Sequence, residues 1–402
     1  MGVFIIMKVE NNQLIIEQQD WKYIEKNGIK KAYEITSGIQ KKYSHPVILD
    51  VCQLYDFLGA KYLRDFDPFY EETYTMFDII NNPEKHYNAI KIRKHGRGTR
   101  TVYNVDGPLR QFQNKIKKEI LDTYPVSKYA KAYVKGVSLK ENAIPHVNKE
   151  YLLKMDLTDF FGHITFDMVY SKVFNSNHFP EKRIGVWLTK LCTYHGRLSQ
   201  GASTSPSISN IVLKDFDEIM GRWCDKNDIS YTRYSDDLTF SADKPLYHAY
   251  EKAKGLLEKF GFEVNEKKTH FITNSTAMKV TGIVVNEKLN ISKEEKRKLR
   301  QQLYYVMKYG FIDYFYRMKC YNDRLSNKIV EEYGTYYDAQ KLYNSLMGKI
   351  NWILYFSPDD KFFLNAREKL PEVLSDIPEF YVKYPICDMY PYYDVLQKDH
   401  FI

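Results

Sequence analysis

The stretch Ile229-Ser230-Tyr231-Thr232-Arg233-Tyr234-Ser235-Asp236-Asp237-Leu238-Thr239-Phe240-Ser241-Ala242 decides how the rest of the chain is read. Tyr, Thr, Ile and Phe at alternating positions are the composition of half-buried strands. Ile229–Tyr234 and Leu238–Ser241 therefore read as two β-runs hinged on Tyr234-Ser235-Asp236-Asp237. A polar hairpin tip accounts for Asp236 and Asp237 on local grounds, since Asp tolerates turn conformations. Two adjacent carboxylates also repel, and they become favourable when a divalent cation sits between them. The choice turns on a third carboxylate.

One lies upstream. In Tyr151–Phe161, YLLKMDLTDFF, the apolar Leu152, Leu153 and Met155 stand before Asp156, and Asp159, Phe160 and Phe161 follow. A buried strand ending at Asp156, with a helix or turn opening near Asp159, points a carboxylate out of a sheet edge. Asp156, Asp236 and Asp237 then make an all-oxygen site suited to magnesium, which takes carboxylates together with substrate phosphates. Two such ions clamp the attacking and leaving oxygens of an in-line phosphoryl displacement. That is nucleotidyl-transfer chemistry.

The 402 residues carry a formal net charge of +8, a modest excess that fits a polyanionic partner. The length is ample for a sizeable core and for about two or three subdomains. Aromatics make up 15% of the chain, with 35 Tyr and 23 Phe. They are either core and interface filler or faces on which bases stack. Cys52, Cys192, Cys224, Cys320 and Cys387 are scattered with no Cys-x-x-Cys pair. This argues against a zinc site or disulfide framework and for a reducing cytoplasm. Val3–Met7 is too short for a signal sequence or membrane span, so a soluble cytoplasmic protein with no membrane partner is expected.

In chain order, residues 1–44 read as an extension, with a short strand pair around Asn11-Asn12 and a Lys-rich helical stretch. Helical spacing of Ile48, Val51, Leu54, Phe57 and Leu58 predicts helices through residue 86. Residues 87–105 form a strand, a basic Gly-containing turn and a second strand, crowded with Lys91, Arg93, Lys94, Arg97 and Arg100. A solvated loop or a triphosphate clamp both fit, since Arg grips phosphate oxygens bidentately. Leu109–Ile120 continues as an amphipathic helix, and 164–198 is mostly helical. Gln200–Asn210, QGASTSPSISN, is a small-residue turn opening a helix to about Trp223. Residues 247–260 form a helix stopped by Gly261. Residues 278–291 read as a hairpin, and Ser292 with Glu295 opens a helix studded with Lys293, Lys296, Arg297, Lys298 and Arg300. Helices follow to Pro358, with a Tyr- and Pro-rich tail from Pro378.

The order of these pieces resembles the blocks of a reverse transcriptase. They are the basic hairpin with Arg100, Asp156–Phe161, Gln200–Asn210, Tyr-x-Asp-Asp at 234–237, and Gly261-Phe262 through Lys268-Thr269. Asn142-Ala143-Ile144-Pro145-His146 and Val280-Thr281-Gly282 look like the Asn-Ala-x-x-His and Val-Thr-Gly blocks of bacterial retron reverse transcriptases. The departure is extra length at both ends.

The resemblance implies an α+β right-hand polymerase fold. Residues 1–86 would be an N-terminal extension and helices on the fingers, and 87–150 the fingers. Residues 151–290 would be the palm (with about 164–198 associated with the fingers), and 291–402 the helical thumb and tail. It implies an RNA-directed DNA polymerase using two Mg2+ ions and deoxynucleoside triphosphates. Such enzymes copy a structured noncoding RNA into single-stranded DNA that stays attached to it, primed from an internal guanosine 2′-hydroxyl. They serve antiphage defence with a separate effector protein, in complexes with room for higher-order assembly. Asp156, Asp236 and Asp237, with the Leu157 carbonyl, would hold the metals. Asp159, Phe160, Phe161, Gln200 and Gly201 would line the nucleotide pocket, with Phe161 closing on the sugar C2′ or else packing in the core. Arg100 with Arg93 or Lys94 would hold the triphosphate. Lys268 would protonate pyrophosphate or stand solvated. Asn142, His146, Val280, Thr281, Gly282, Lys296, Arg297 and Arg300 would contact RNA, with a buried hydrogen-bonding role open for His146. The rival readings are an abortive-infection or group II intron-type enzyme with different priming, and an RNA-binding scaffold for a toxin. Clustered carboxylates with no metal are a cost, which counts against the scaffold.

Overall fold

The structure, a computed structural model, describes residues 8–10, 13–15, 48, 54, 57–58, 76–93, 98–175, 179, 182–322 and 333–375. Lys94, most of 1–75 and the tail from Pro378 lie outside the described residues. The chain forms two units: Met1–Pro145 with Glu150–Ile272, and His146–Lys149 with Thr273–Ile402.

In the first unit β1 (Lys8–Glu10) pairs antiparallel with β2 (Gln13–Ile15), Glu10 opposite Gln13, and the turn expected at Asn11-Asn12 lies outside the described residues. After α1 (Met76–Asn81), β3 (Tyr87–Arg93) and β4 (Thr99–Val105) make a two-stranded antiparallel ribbon. Pro108 occupies the first turn of α2 (Gly107–Glu119), where its missing N–H costs nothing. That helix buries Leu109, Phe112 and Ile116, one face at helical spacing. A Ser138–Glu141 capping box starts α3 (Leu139–Ala143). Then come β5 (Tyr151–Asp156), the single turn α4 (Phe160–His163), α5 (Phe166–Lys172) and α6 (Lys182–Cys192). The helix expected to run to Trp223 is two helices, α7 (Ser205–Val212) and α8 (Lys214–Lys226). They break at Leu213, whose ψ of 0° leaves the helical range and whose side chain is buried in the core. β6 (Ser230–Tyr234), β7 (Asp237–Ala242), α9 (Tyr247–Lys259) and β8 (His270–Thr273) complete the unit.

The sheet order is β6-β7-β5-β8. Alternation buries Leu153 opposite Phe240, and Phe240 stacks on Tyr231 with centroids 4.8 Å apart. This packing fixes the register that brings the strand ends together, because a one-residue slip would move Leu153 and Phe240 to the opposite face of the sheet and break these contacts. α8 lays Phe216, Asp217, Met220, Gly221 and Cys224 toward the core.

In the second unit β9 (Lys279–Val280) and β10 (Ile283–Val284) pair around Thr281 and Gly282, whose φ values of 47° and 86° are both positive. A two-residue hairpin turn of the primed type requires that, and Gly supplies it without strain. The Ser292 hydroxyl accepts from Glu295 N at 3.3 Å, capping α10 (Lys293–Asn322), which is broken at Gly310. Leu299, Leu303 and Val306 of α10 share a core with Leu346 and Ile350 of α11 (Tyr333–Phe356) and Phe363 and Leu370 of α12 (Lys361–Ser375). Among the described residues, no helix is long and apolar enough to cross a membrane.

Gly221 offers a check on this packing. A Gly→Ala change inside a helix ordinarily stabilises by about 0.5–1 kcal/mol. Here a Cβ would stand 2.1 Å from the Tyr129 ring, which is held by its hydroxyl bond to Asp225. Overpacking of about 1–3 kcal/mol outweighs the propensity gain. Gly221→Ala should lower the urea midpoint, and an unchanged or higher midpoint would contradict the close approach of α8 to Tyr129.

Candidate active site

β5 and β7 end side by side, with Asp156 directly opposite Asp237. Asp236 stands in the turn between β6 and β7, after Ser235 at φ 62°. Three backbone bonds pin these ends: Leu157 N to Asp236 O at 3.1 Å, Asn265 N to Asp156 O at 2.8 Å, and Thr158 N to Glu263 O at 2.9 Å. The Tyr133 and Ser235 hydroxyls lie 3.1 Å apart. The Lys268 ammonium donates to both Asp156 oxygens, at 3.0 and 2.9 Å, and Asn265 Nδ2 adds a longer contact at 3.4 Å.

Burial pushes the Asp236 carboxyl above the usual carboxylate range, and the charge of Asp156 adds to the effect. Burial likewise raises Asp237, with Lys154 opposing and the charges of Asp236 and Asp156 adding. The hydrogen bond to Asp156 raises Lys268 and keeps it protonated. Among the described residues no three Asp, Glu, His or Cys side chains enclose a point as a ready metal site. Asp156 is instead engaged with Lys268.

The nucleotide-side residues divide into two groups. Asp159 adopts φ 37° ahead of α4, and its carboxyl covers Gly162, where a Cβ would come within 2.1 Å of it. Phe160 is buried, while Phe161 is only partly so, their rings 5.1 Å apart. Tyr103 N of β4 donates to the Gln200 carbonyl at 2.7 Å. Gly201, at φ 112°, lies so close that a Cβ would stand 2.1 Å from the Tyr103 carbonyl and 3.1 Å from Val102 Cγ1. No other residue fits there. In the ribbon, Arg100 opposes Ile92 and Arg93 opposes Thr99. Successive residues alternate faces, so the two arginines lie on opposite faces, and Arg100 shares the Val102 face turned to Gly201.

Of the residues expected to meet RNA, Asn142, His146 and Val280 are buried. The Asn142 backbone carbonyl accepts from Thr232 Oγ1 at 3.5 Å. Thr281 and Gly282 are the hairpin turn itself. Lys296 bonds Ser357 at 3.0 Å, and Arg300 bonds Asp360 at 3.3 Å, while Arg297 is exposed. Sequence reasoning missed Arg233 and Asp217, a fully buried ion pair behind the acidic turn. The signal was available: Asp217 falls on the apolar stripe of α8, where a charge demands a partner.

The family model for reverse transcriptase (RNA-dependent DNA polymerase) matches residues 92–285. Together with the sheet and its acidic strand ends, this defines an RNA-directed DNA polymerase of the right-hand fold. The chain is 30% identical over 233 residues to the retron Ec86 reverse transcriptase of Escherichia coli, covering 57% of this chain and 72% of that one. It is 32% identical over 250 residues to the Escherichia coli retron Ec83 enzyme (58% and 80% covered). With the retron Mx65 enzyme of Myxococcus xanthus it is also 32% identical, over 243 residues (55% and 56% covered). The chain belongs to the retron reverse transcriptases.

The raised carboxyls carry a stability signature. Their folded forms hold the proton more tightly than the unfolded chain does. The fold is therefore weakened at pH above the usual carboxylate range and recovers as pH falls through the raised values. In metal-free buffer at pH 7, Asp236→Asn should raise the melting temperature by about 2–4 °C. The gap should close toward about pH 4. Calorimetry giving a variant no more stable than wild type at pH 7 would count against buried repulsion at the turn.

Proposed function

We propose that this polymerase copies part of a structured noncoding RNA into single-stranded DNA that stays joined to it, primed from an internal 2′-hydroxyl. The observation that carries the chemistry is the register of Asp156 opposite Asp237, with Asp236 in the adjoining turn. The donor set fits divalent cations: all oxygen, carried on neighbouring strand ends, with carboxyls raised by burial and by one another. Asp156, Asp236 and Asp237, with the Leu157 carbonyl, would hold magnesium. Bound there, magnesium lowers the pKa of the primer hydroxyl and neutralises charge on the phosphate.

The remaining roles belong to the chain. Lys268 carries the proton that pyrophosphate needs, and its grip on Asp156 is exchangeable because its side chain is 61% exposed. Once Asp156 is engaged elsewhere, the largest interaction that raises Lys268 is gone and it becomes a stronger acid. Arg100, on the Gly201 face, is the better placed arginine for the triphosphate, with Arg93 on the other face. The ribbon and α2 act as fingers, the β5–β8 sheet as palm and α10–α12 as thumb. Arg297 and the neighbouring exposed lysines of α10 offer the RNA its cations. In keeping with the resemblance to retron enzymes, the proposal extends to a cytoplasmic site, a separate effector protein and a part in antiphage defence.

Phe161 packs against the core without being fully buried, which leaves part of its ring for the sugar-gate role. A flat ring rejects a ribose hydroxyl by contact and by leaving it unpaired. Phe161→Val should shift the kcat/KM ratio toward ribonucleotides by about 10-fold or more. A ratio that does not move returns Phe161 to the core.

Priming is tested on the product. An internal hydroxyl reaches the reacting phosphate only if the folded RNA is held rigidly beside the palm, because near-attack geometry tolerates small displacements only. DNA that copurifies with the protein should, after RNase digestion, retain a branched nucleotide removable by debranching enzyme. A free or protein-linked 5′ end would refute 2′-hydroxyl priming while leaving the polymerase chemistry intact.

A further inference from the structure

The fully buried pair Arg233–Asp217 stands directly behind the acidic turn. Nε donates to Asp217 Oδ1 at 2.9 Å and Nη2 to Oδ2 at 2.6 Å. The guanidinium reaches further. Nη2 also donates to Asn210 Oδ1 at 3.1 Å, and Nη1 donates to the Ser235 carbonyl at 3.0 Å. Asp217 accepts from the Tyr231 hydroxyl at 2.8 Å, and Asn210 Nδ2 donates to the Ala132 carbonyl at 2.8 Å. The Arg233 backbone is tied as well, its N to Tyr129 O at 2.9 Å and its O to Lys131 N at 2.8 Å.

A buried ion pair is a weak source of net stability, because desolvation offsets the attraction and apolar replacement is often neutral or better. Geometry supplies another reason to keep it. Ser235 holds φ 62°, a region an L side chain adopts at a cost, and the residue is buried. A buried carbonyl needs a partner, and Arg233 Nη1 provides one. Ser235 immediately precedes Asp236, so fixing that peptide fixes the direction in which Asp236 leaves the turn. A lysine ammonium is a point donor; the planar guanidinium holds acceptors along fixed, diverging directions.

We infer that Arg233 is a positioning residue for the polymerase reaction. Braced by Asp217, it locks the Ser235 carbonyl and with it Asp236, and through Asn210 it ties α7 to the same turn. The inference rests on the proposed catalytic role of Asp236. Arg233 itself is closed off from solvent and acts only through its neighbours.

Arg233→Met alone strands a buried Asp217 charge and risks unfolding, so the informative variant is Arg233→Met with Asp217→Leu, which removes both charges. One readout is amide hydrogen exchange at Leu157, whose N–H donates to Asp236 O, on the full chain without nucleotide or added metal. The other is primed DNA synthesis resolved into kcat and KM for the nucleotide. The double variant should melt within about 4 °C of wild type. Leu157 should exchange about 10-fold faster or more. At the same time kcat should fall about 10²-fold with KM within about twofold. A folded double variant with wild-type exchange and wild-type kcat overturns the inference, since the pair then only fills space. Fast Leu157 exchange, together with a wild-type protein that synthesises no DNA, supports the lock on the turn and overturns the proposed reaction instead. If the double variant does not fold, Arg233→Lys carries the same readouts with the same supporting and overturning results. It keeps a cation against Asp217 but has no second arm for the Ser235 carbonyl.

Discussion

Asp156 and Asp237 face each other across two hydrogen-bonded strands, and the structure around them is arranged to hold like charges together. Like charges in directly opposed cross-strand positions are destabilising. Burying one large apolar side chain returns about 1.5–3 kcal/mol. Leu153, Met155, Leu238 and Phe240, all buried in the same two strands, therefore decide the register, and the acidic ends have no vote. The core wins, and the site inherits the conflict.

Two ion pairs near that conflict sit in different dielectric surroundings. Lys268 grips Asp156 from a side chain 61% exposed, where an ion pair contributes little to stability and exchanges readily. Arg233 meets Asp217 at 0% exposure, where neither partner can leave without stranding the other. The exposed cation belongs to the changing part of the site and the buried one to its frame. Solvent access alone separates the two parts.

Much of this was legible in the sequence. Period-two alternation marked β6 and β7, and the apolar run before Asp156 marked β5, each within a residue or two of its observed ends. The order of the acidic blocks foretold that Asp156 and Asp236-Asp237 would meet. What was hidden depends on pairing across distance. The Arg233–Asp217 bond joins a strand to a helix, and a charge on an apolar stripe announces a need without naming its partner. The opposite faces of Arg93 and Arg100 follow only once β3 and β4 are in register. Val280-Thr281-Gly282, readable as a family block, proves to hold a two-residue turn whose positive φ values no pattern of hydrophobicity encodes. The break at Leu213 was invisible for the same reason, since both flanking segments favour helix.

The seam between β4 and the Gln200 loop has a mechanical meaning. Tyr103 N is bonded to the Gln200 carbonyl, and Gly201 is pressed against the Tyr103 carbonyl with no room for a methyl group. A two-stranded ribbon is marginal alone, so this loop serves it as a rail along one edge. Arg100, three residues before Tyr103 on the same strand, is thereby anchored through the strand to the Gln200 backbone.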